Sequence, residues 1–340
     1  MEISSKVLQE NTKLILIAAR QPELRKIKAL EGGFVNNNYL LELSDDSKLV
    51  LKVWANKNPA FVEQVIRNTF FLADYGVPTP LPLSLNKDKR IMVIDGLSWI
   101  LMTSICGRWL SPEPSSLYNL GRFQAKLHQI PLNEDIPQSY AYGYDFWDDL
   151  IENSLSNGVE SPFIKMLKKE SAELKKNIPD NLPKGIIHGD LKLENIIANK
   201  EKILAVLDLE DMCFDWLSLD IAMTFSHCGW KNGQPVKRLW ESLLEGYQSI
   251  RLLEVAEKKA LPYLHKYSIL ALAAWRYRQY VLKKSGTNLK KRYLEMADRL
   301  NKDLIKWHKI LPSCVCVVVF FAVNTRLFLY KYPCKSFRYW

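Results

Sequence analysis

Three oxygen-bearing side chains interrupt apolar runs in the stretch GIIHGDLKLENIIANKEKILAVLDLED, which occupies residues 185–211. The runs after the first turn predict a short hairpin around KEK, with Asp190 and Asn195 on the loop before it and Asp208 at the end of its second strand. These side chains would converge, and a carboxylate buried without a cation or donor is costly. Mg²⁺ takes such oxygen ligands together with water and substrate phosphate. The spacing therefore indicates a magnesium site, although each residue alone is also common in turns and caps.

The first hundred residues are predicted to form strands and one helix. In KLVLKVWA, Leu49, Leu51 and Val53 share one face, while Lys52 points to the other. The following stretch, NPAFVEQVIRNTFFLADYGVP, has an N-cap asparagine and a proline in the first turn, and it ends in Gly and Pro. It therefore reads as a helix, and RIMVIDGLSWILMTSICG reads as two more strands and a link.

From about residue 115 the pattern becomes mostly helical. The predicted helices cover 117–129, 160–177, 216–226, 236–250 and 256–282. The fold class is therefore α+β, with a small β-rich lobe over 1–103 and a larger α-helical lobe over 104–310. The boundary is expected near Met102 to Gly107.

Length and composition limit the class of protein. The chain has 340 residues, 48% hydrophobic and 25% charged, which is ordinary for a globular protein of one two-lobed unit or two modest domains. The net charge of +10 is spread out, so it fits an anionic nucleotide or a solvated lysine-rich surface equally well. We expect no nucleic-acid partner, because no basic stripe is interleaved with aromatic residues and no reader motif is present.

Cysteine usage and the N-terminus indicate a location. The six cysteines form no CxxC pair and have no histidine at zinc spacing, which favours reduced thiols. The N-terminal run LILIAA is too short for a signal peptide. We therefore expect a cytoplasmic protein.

The C-terminal segment 311–340 is unlike the rest of the chain. It contains CVCVVVFFAV, ten continuous apolar residues, whereas a membrane-spanning helix needs about 20. Two interpretations remain open: a packed or aberrant C-terminal extension, or a membrane-associating segment over 312–330.

The segment HGDLKLEN followed by LDLED resembles the catalytic and metal-binding segments of the kinase superfamily. The resemblance is strongest to the aminoglycoside phosphotransferase and choline kinase branch. It implies a protein-kinase-like two-lobed fold, with ATP and Mg²⁺ as cofactors and a small-molecule hydroxyl acceptor. It also implies that Asp190 takes the proton of the acceptor hydroxyl and that Asn195 and Asp208 hold Mg²⁺. His188, which opens the motif, would brace the loop.

The same resemblance implies a set of nucleotide contacts. Lys52 would contact the α- and β-phosphates and be held by Glu63, which is early on the next helix. The turn-rich stretch EGGFVNNNYLLEL would cover the phosphates, and adenine would lie against the link between the lobes. The implied nucleotide-binding residues are Lys52, Glu63, Gly32, Gly33, Asn37, Met102 and Lys192.

Three further stretches resemble the homoserine kinases of this branch: the GGFVNNNYLLEL loop, ADYGVPTPLPL and DWLSLDIAMTFSHCGW. In the last, Asp220 would anchor the catalytic loop from below. The short span from Asp208 to Asp220 leaves no room for the activation segment with which protein kinases dock a peptide. A small acceptor is therefore expected, with L-homoserine or a similar amino alcohol first.

Homoserine needs a cation for its carboxylate and an acid for its ammonium group. The late helix offers Arg276 and Arg278, and the loop after Asp208 offers acidic residues. The candidate ammonium ligands are Glu210, Asp211 and Asp215.

Other interpretations of these residues stay open. Trp275, Tyr277 and Tyr280 could cage a quaternary ammonium, as a choline acceptor requires. Ethanolamine, hydroxylysine and aminoglycoside acceptors, a packed helix with exposed arginines, and a pseudokinase-like binding module are the remaining alternatives. The histidines outside the motif are interpreted as structural, namely His128, His227, His265 and His308.

Overall fold

The computed structural model describes residues 3–30, 36–55, 57–86, 89–158, 160–283, 291–302, 322–323 and 326–327. The helices in these ranges are α1 (Ser5–Ala18), α2 (Pro59–Asp74), α3 (Pro114–Leu127), α4 (Tyr144–Ser156), α5 (Pro162–Asn177), α6 (Leu217–Cys228), α7 (Lys237–Gln248), α8 (Val255–Tyr277) and α9 (Arg292–Ala297). The strands are β1 (Leu24–Ala29), β2 (Asn37–Leu43), β3 (Lys48–Trp54), β4 (Met92–Ile94), β5 (Leu97–Thr103), β6 (Arg108–Trp109), β7 (Lys184–Ile187), β8 (Ile196–Asn199), β9 (Lys202–Val206), β10 (Cys213–Trp216), β11 (Trp230–Lys231), β12 (Gln234–Pro235), β13 (Ala322–Val323) and β14 (Arg326–Leu327).

The N-terminal part is an antiparallel sheet of five strands in the order β1-β2-β3-β5-β4. Successive side chains of a strand point to opposite faces. One face buries Leu51 and Leu101 against Ile15 of α1. The other carries Lys52, as the alternation predicts, beside Trp54 and Ile100, which pack on α2.

Two helices flank this sheet, whereas the sequence indicated one. The predicted helix α2 is confirmed: the Asn58 side chain accepts a hydrogen bond from the Phe61 amide at 2.8 Å, and Gly76 follows the helix with φ +81°. The other helix, α1, contains most of the run LILIAA. That run is too short for its hydrophobic periodicity to identify a helix. The helix forms because its apolar face covers the sheet.

The helical part begins after β5. The predicted helices are found as α3, α5, α6, α7 and α8, with ends shifted by a few residues. Helix α4 was not predicted, although Phe146, Trp147, Leu150 and Ile151 have helical spacing and are buried. The α+β class is confirmed. We propose a lobe boundary near Thr103, where β5 ends.

The hairpin predicted around KEK is present as β8 and β9, which pair antiparallel. Strand β7 precedes the catalytic loop and pairs with β10. The two short strand pairs thus support the chain on both sides of Asp190 and Asp208. No helix among the described residues has the length and apolar character needed to cross a membrane. Most of the 311–340 extension lies outside the described residues. Its described residues form β13 and β14, which pair antiparallel.

Helices α3 and α7 touch backbone to backbone at two glycines. A Cβ atom on Gly246 would overlap the carbonyl oxygen of Tyr118, and one on Gly121 would overlap that of Leu243. This close approach positions α3 so that Gln124, and His128 just after the helix, reach Asp220.

Gly246→Ala is therefore expected to lower the free energy of unfolding by about 1–3 kcal/mol through overpacking. Helix propensity alone would raise it by up to about 1 kcal/mol, so the sign distinguishes the two effects. Equilibrium urea denaturation provides the measurement. Glu245→Ala, at an exposed neighbouring position, is the control. A Gly246→Ala variant as stable as the wild type would contradict the close approach of the two helices.

Candidate active site

Asp190 lies on the loop between β7 and the 3₁₀ turn Leu193–Asn195. One carboxylate oxygen, Oδ2, accepts hydrogen bonds from Lys192 Nζ and, at 3.3 Å, from Asn195 Nδ2. The other oxygen, Oδ1, is 3.5 Å from Nε2 of His227. Its neighbours therefore orient the carboxylate from two sides.

Asp220 supports this loop from below, as predicted. Its Oδ1 accepts the Gly189 amide at 3.0 Å, and its Oδ2 accepts the His188 amide at 3.3 Å. The side chains of Gln124 and His128 contact Oδ2 at 2.8 and 3.1 Å. Burial alone would raise the pKa of Asp220, but the hydrogen bond and charge of His128 hold it below its usual value. Asp220 is therefore a charged, fully buried anchor for the loop that carries Asp190.

His188 and Gly189 give the loop its shape. The Asp190 amide donates to Nδ1 of His188 at 3.2 Å, so Nε2 carries the proton and donates to the Leu207 carbonyl at 3.0 Å. Gly189 has φ +77°, and a Cβ there would collide with the carbonyl of Asp211. The loop is thus tied to the segment that follows β9.

Asn195 and Asp208 are brought together by the backbone. The Leu207 amide donates to the Asn195 carbonyl at 2.8 Å, which sets Asp208 beside the 3₁₀ turn. Asp208 itself has φ 65°, a left-handed conformation that Asp and Asn adopt more readily than most residues. Among the described residues, no group of three or more His, Cys, Asp or Glu side chains could hold a metal. One carboxylate and one amide fit Mg²⁺, which usually keeps water and phosphate as its other ligands.

Lys52 faces Asp208 across the cleft. Its Nζ is 2.7 Å from Asp208 Oδ1 and 3.4 Å from Glu210 Oε2, and it lies 4.2 Å from the centroid of the Trp54 ring. Burial lowers the pKa of Lys52, but the two carboxylates more than offset this and raise it above its usual range. Lys52 is therefore a charged, buried cation.

The structure does not bring the predicted Glu63 to Lys52. Glu63 is exposed on α2, where it lines a surface groove with Arg67 and Phe70. Glu210 pairs with Lys52 instead, and it also accepts a hydrogen bond from Asn36 Nδ2 at 2.9 Å. Glu210 is thus held by Lys52 and Asn36 rather than standing free as an ammonium ligand.

Two other predicted nucleotide residues are located in the sheet. Met102 is partly buried in β5 opposite Val50, one residue before the strand ends. Asn37 begins β2 opposite Val53. Gly32 and Gly33 lie outside the described residues, so their phosphate role stays a prediction.

Asp211 lies close to the loop that carries Asp190, because its carbonyl packs against Gly189. Burial raises its pKa well above the usual value, and the neighbouring carboxylates of Asp190 and Glu210 raise it further. Tyr140 and Tyr142 lie close enough that Asp211, after burial, raises the pKa of each phenol. An acid crowded by other acids, with two phenol groups nearby, favours a bound cation.

Asp215, in contrast, has a structural role. It is buried in β10, where Oδ2 accepts the Tyr140 amide at 3.0 Å and Oδ1 accepts the Trp216 amide at 2.8 Å. Lys184 lies 3.9 Å away. Because both oxygens are used by the backbone, the prediction of Asp215 as an ammonium ligand is not supported.

The two predicted arginines diverge. Arg276 Nη1 donates to the Arg292 carbonyl at 3.1 Å and to Glu295 Oε2 at 3.2 Å. Arg278 is exposed, with its guanidinium 5.1 Å from the centroid of the Phe146 ring. The structure therefore does not combine them into one clamp.

The predicted aromatic cage is also divided. Trp275 lies edge-on to Tyr142 and to Tyr280, with ring centroids 6.5 and 6.0 Å apart. Tyr277 points elsewhere: it stacks on Phe163 at 4.7 Å and is buried. Tyr142, on a loop far earlier in the chain, packs against Trp275, whereas Tyr277 does not.

Sequence reasoning missed His227 and Asn36. His227 was interpreted as structural, yet it contacts Asp190. Its position in DWLSLDIAMTFSHCGW, seven residues after Asp220, was the available signal, because two turns of α6 bring both residues to the catalytic loop. Asn36 belongs to the NNN run, in which the family resemblance implies Asn37 as the nucleotide contact.

Comparison with known proteins identifies the chain's relatives. The model of the family described as "Phosphotransferase enzyme family" (APH) matches residues 26–253, more than half of the chain. A homoserine kinase of Rhizobium meliloti is 25% identical over 317 residues, covering 92% of this chain and 96% of that protein. One from Rhizobium rhizogenes is 27% identical over 321 residues, covering 92% and 98%.

Solved structures share the fold at lower identity. An ethanolamine kinase of Plasmodium vivax superposes with a TM-score of 0.68 at 14% identity, over 90% of this chain and 91% of its own. A microcompartment-associated aminopropanol kinase gives 0.66 at 18%, over 88% and 97%. A spectinomycin phosphotransferase in complex with ADP and spectinomycin gives 0.66 at 15%, over 92% and 99%. These neighbours confirm the predicted kinase-like fold.

Proposed function

The chain belongs to the phosphotransferase enzyme family, and from that premise we propose that it transfers the γ-phosphate of ATP to the hydroxyl group of a small amino acid or amino alcohol, with L-homoserine first. The observation that carries the proposal is the meeting of Lys52, Asp190, Asn195 and Asp208 in one cleft. A pseudokinase would not need all four groups.

Phosphoryl transfer has a loose transition state, so the enzyme mainly positions groups and neutralises charge. Lys52 supplies a buried cation for the phosphates of ATP. Asn195 and Asp208 would hold Mg²⁺, which neutralises charge on the phosphate oxygens when bound. Before nucleotide binds, the ion pair of Lys52 with Asp208 keeps both side chains charged and in the cleft.

Asp190 aligns the acceptor hydroxyl and takes its proton late in the transfer. Asn195 and His227 fix the orientation of its carboxylate from opposite sides. Lys192 is paired with Asp190, and its charge is also near Asp208, so it is suited to the γ-phosphate. Burial lowers the pKa of Lys192, but Asp190 and the other carboxylates more than offset this.

The acceptor is inferred from the groups beyond Asp190. Asp211 with Tyr140 and Tyr142 suits an ammonium group, which favours an amine-bearing acceptor. The relatives named homoserine kinase match over nearly their whole length, which supports homoserine within that class. Ethanolamine is the second candidate, because it also carries an ammonium group for Asp211, and Tyr142, whose pKa Asp211 raises after burial, packs edge-on against Trp275. The free thiols of Cys213 and Cys228 are consistent with a cytoplasmic location, which we also propose.

An ADP-release assay with one acceptor at a time tests the function. We expect L-homoserine to give a kcat/KM at least about 10-fold above ethanolamine and choline, because only homoserine uses charges of both signs. Hydroxylysine and an aminoglycoside complete the set, and ³¹P NMR identifies the phosphate ester. Turnover of choline without homoserine would remove the homoserine assignment, and no turnover of any acceptor would remove the kinase.

A further inference from the structure

Arg299 is a partly buried cation on the 3₁₀ turn Asp298–Lys302 that follows α9. Its Nη1 donates to the Ser226 carbonyl at 2.6 Å, and its guanidinium lies 4.6 Å from the centroid of the Trp230 ring. Among the described residues, no carboxylate lies within 4.0 Å of it. Burial and the like charge of Arg276 lower the pKa of Arg299 to about 10. A desolvated cation without a close anion is costly unless a ligand compensates it.

Arg276 supplies a second cation near this position. Its side chain is 17% exposed, and its one carboxylate partner in the described chain is Glu295, which is 63% exposed. Burial and the like charge of Arg292 lower the pKa of Arg276. Two guanidinium groups thus lie in the field of one solvent-facing carboxylate, and positive charge is left in excess.

His227 connects this cationic pair with the reaction centre. It follows Ser226 on α6, and its Nε2 is 3.5 Å from Asp190 Oδ1. Burial lowers the pKa of His227 to about 4, with Arg276 and Arg299 contributing through like charge, although Asp190 opposes the shift. The imidazole is therefore neutral at pH 7. It contacts Asp190, and the carbonyl of its chain neighbour Ser226 accepts the hydrogen bond from Arg299.

We propose that Arg276 and Arg299 form a carboxylate subsite in the acceptor pocket, next to the Ser226–His227 segment through which His227 contacts Asp190. Asp211 is near Asp190 as well, because its backbone carbonyl packs against Gly189, so a hydroxyl at Asp190 has an acidic group and a cationic pair within reach. That arrangement selects a zwitterionic hydroxy amino acid over an amino alcohol. The proposal rests on the kinase function and assigns the carboxylate to Arg299, which sequence patterns did not indicate, in place of the exposed Arg278.

Two acceptors that differ only in the carboxylate test the subsite. L-homoserine carries it, and 3-amino-1-propanol has a hydrogen in its place. Arg299→Gln is expected to raise the KM for homoserine at least about 30-fold, because a desolvated carboxylate loses its charged partner. The same change should leave kcat/KM for 3-amino-1-propanol within about 3-fold. Arg299→Lys, which keeps the charge, should retain part of the homoserine affinity. Arg278→Gln is the matched control, and its kinetics should equal those of the wild type.

A binding measurement does not require turnover. L-2-aminobutyrate, homoserine without its hydroxyl, should bind the wild type in calorimetry and bind Arg276→Gln and Arg299→Gln at least about 10-fold more weakly. Equal affinity in all three proteins, or equal losses with both acceptors, would overturn the subsite. If no acceptor is phosphorylated, the kinase function fails, while carboxylate-dependent binding still decides the subsite.

Discussion

Replacing Asp190 by Asn is expected to lower kcat roughly 10²-fold or more while leaving the Kd for ATP within a few-fold of the wild type. The amide has the shape of the carboxylate, so it can still accept from Lys192 and face His227. It cannot take the proton of the acceptor hydroxyl. Steady-state kinetics with saturating acceptor measure kcat, and calorimetric titration measures ATP binding.

Asp215→Asn is the matched control for this experiment. It makes the same chemical change in a buried carboxylate of the neighbouring strand β10, whose oxygens accept backbone amides. We expect a lower free energy of unfolding with kcat within about 3-fold of the wild type. An Asp190→Asn enzyme with wild-type kcat would show that Asp190 is not the proton acceptor. An Asp215→Asn enzyme that loses kcat equally would show that the loss is not specific to the Asp190 carboxylate.

The catalytic loop was predictable from the sequence because its geometry is local. Asp190 and Asn195 are five residues apart, and their contact depends on one loop and one 3₁₀ turn. Asp208 joins them through a hairpin whose turn and apolar runs are readable in the sequence. In such segments, spacing and turn chemistry determine which side chains meet.

The partners of Lys52 could not be predicted in this way. Alternation along β3 correctly gave the face of Lys52, but the choice between Glu63 and Glu210 depends on how α2 packs over the sheet. Val62 and Ile66 take the buried positions of α2, which leaves Glu63 exposed. Glu210 approaches from a segment 158 positions further along the chain.

The residues of the proposed acceptor pocket were missed in part for the same reason. Arg276 is on the predicted late helix, but Arg299 comes from the turn after α9 and His227 from α6. Their proximity to each other is a product of tertiary packing, which no local spacing encodes. Charge alone could not separate them from the other basic residues of a chain with 47 lysines and arginines.

Replacing Asp208 by Asn is expected to raise the Mg²⁺ concentration needed for half-maximal activity and to lower kcat by about 10²–10³-fold. The loss corresponds to several kcal/mol of charge stabilisation on the transferred phosphate. Asn is the informative substitution, since it tolerates the left-handed backbone at φ 65°, which Ala would strain. Lys52 keeps Glu210 as a partner, so it is not left as an uncompensated buried cation.

Glu210→Gln distinguishes the loss of a metal ligand from the loss of a carboxylate partner of Lys52. It also removes a negative charge beside Lys52, at 3.4 Å, but Glu210 is not assigned to the metal. Its main expected effect is a higher KM for ATP, with the Mg²⁺ requirement unchanged. Activity measured against Mg²⁺ concentration at fixed ATP distinguishes the two variants. If Asp208→Asn left the Mg²⁺ requirement at the wild-type value, Asp208 would be a partner of Lys52 alone, and the magnesium site would have to be sought elsewhere.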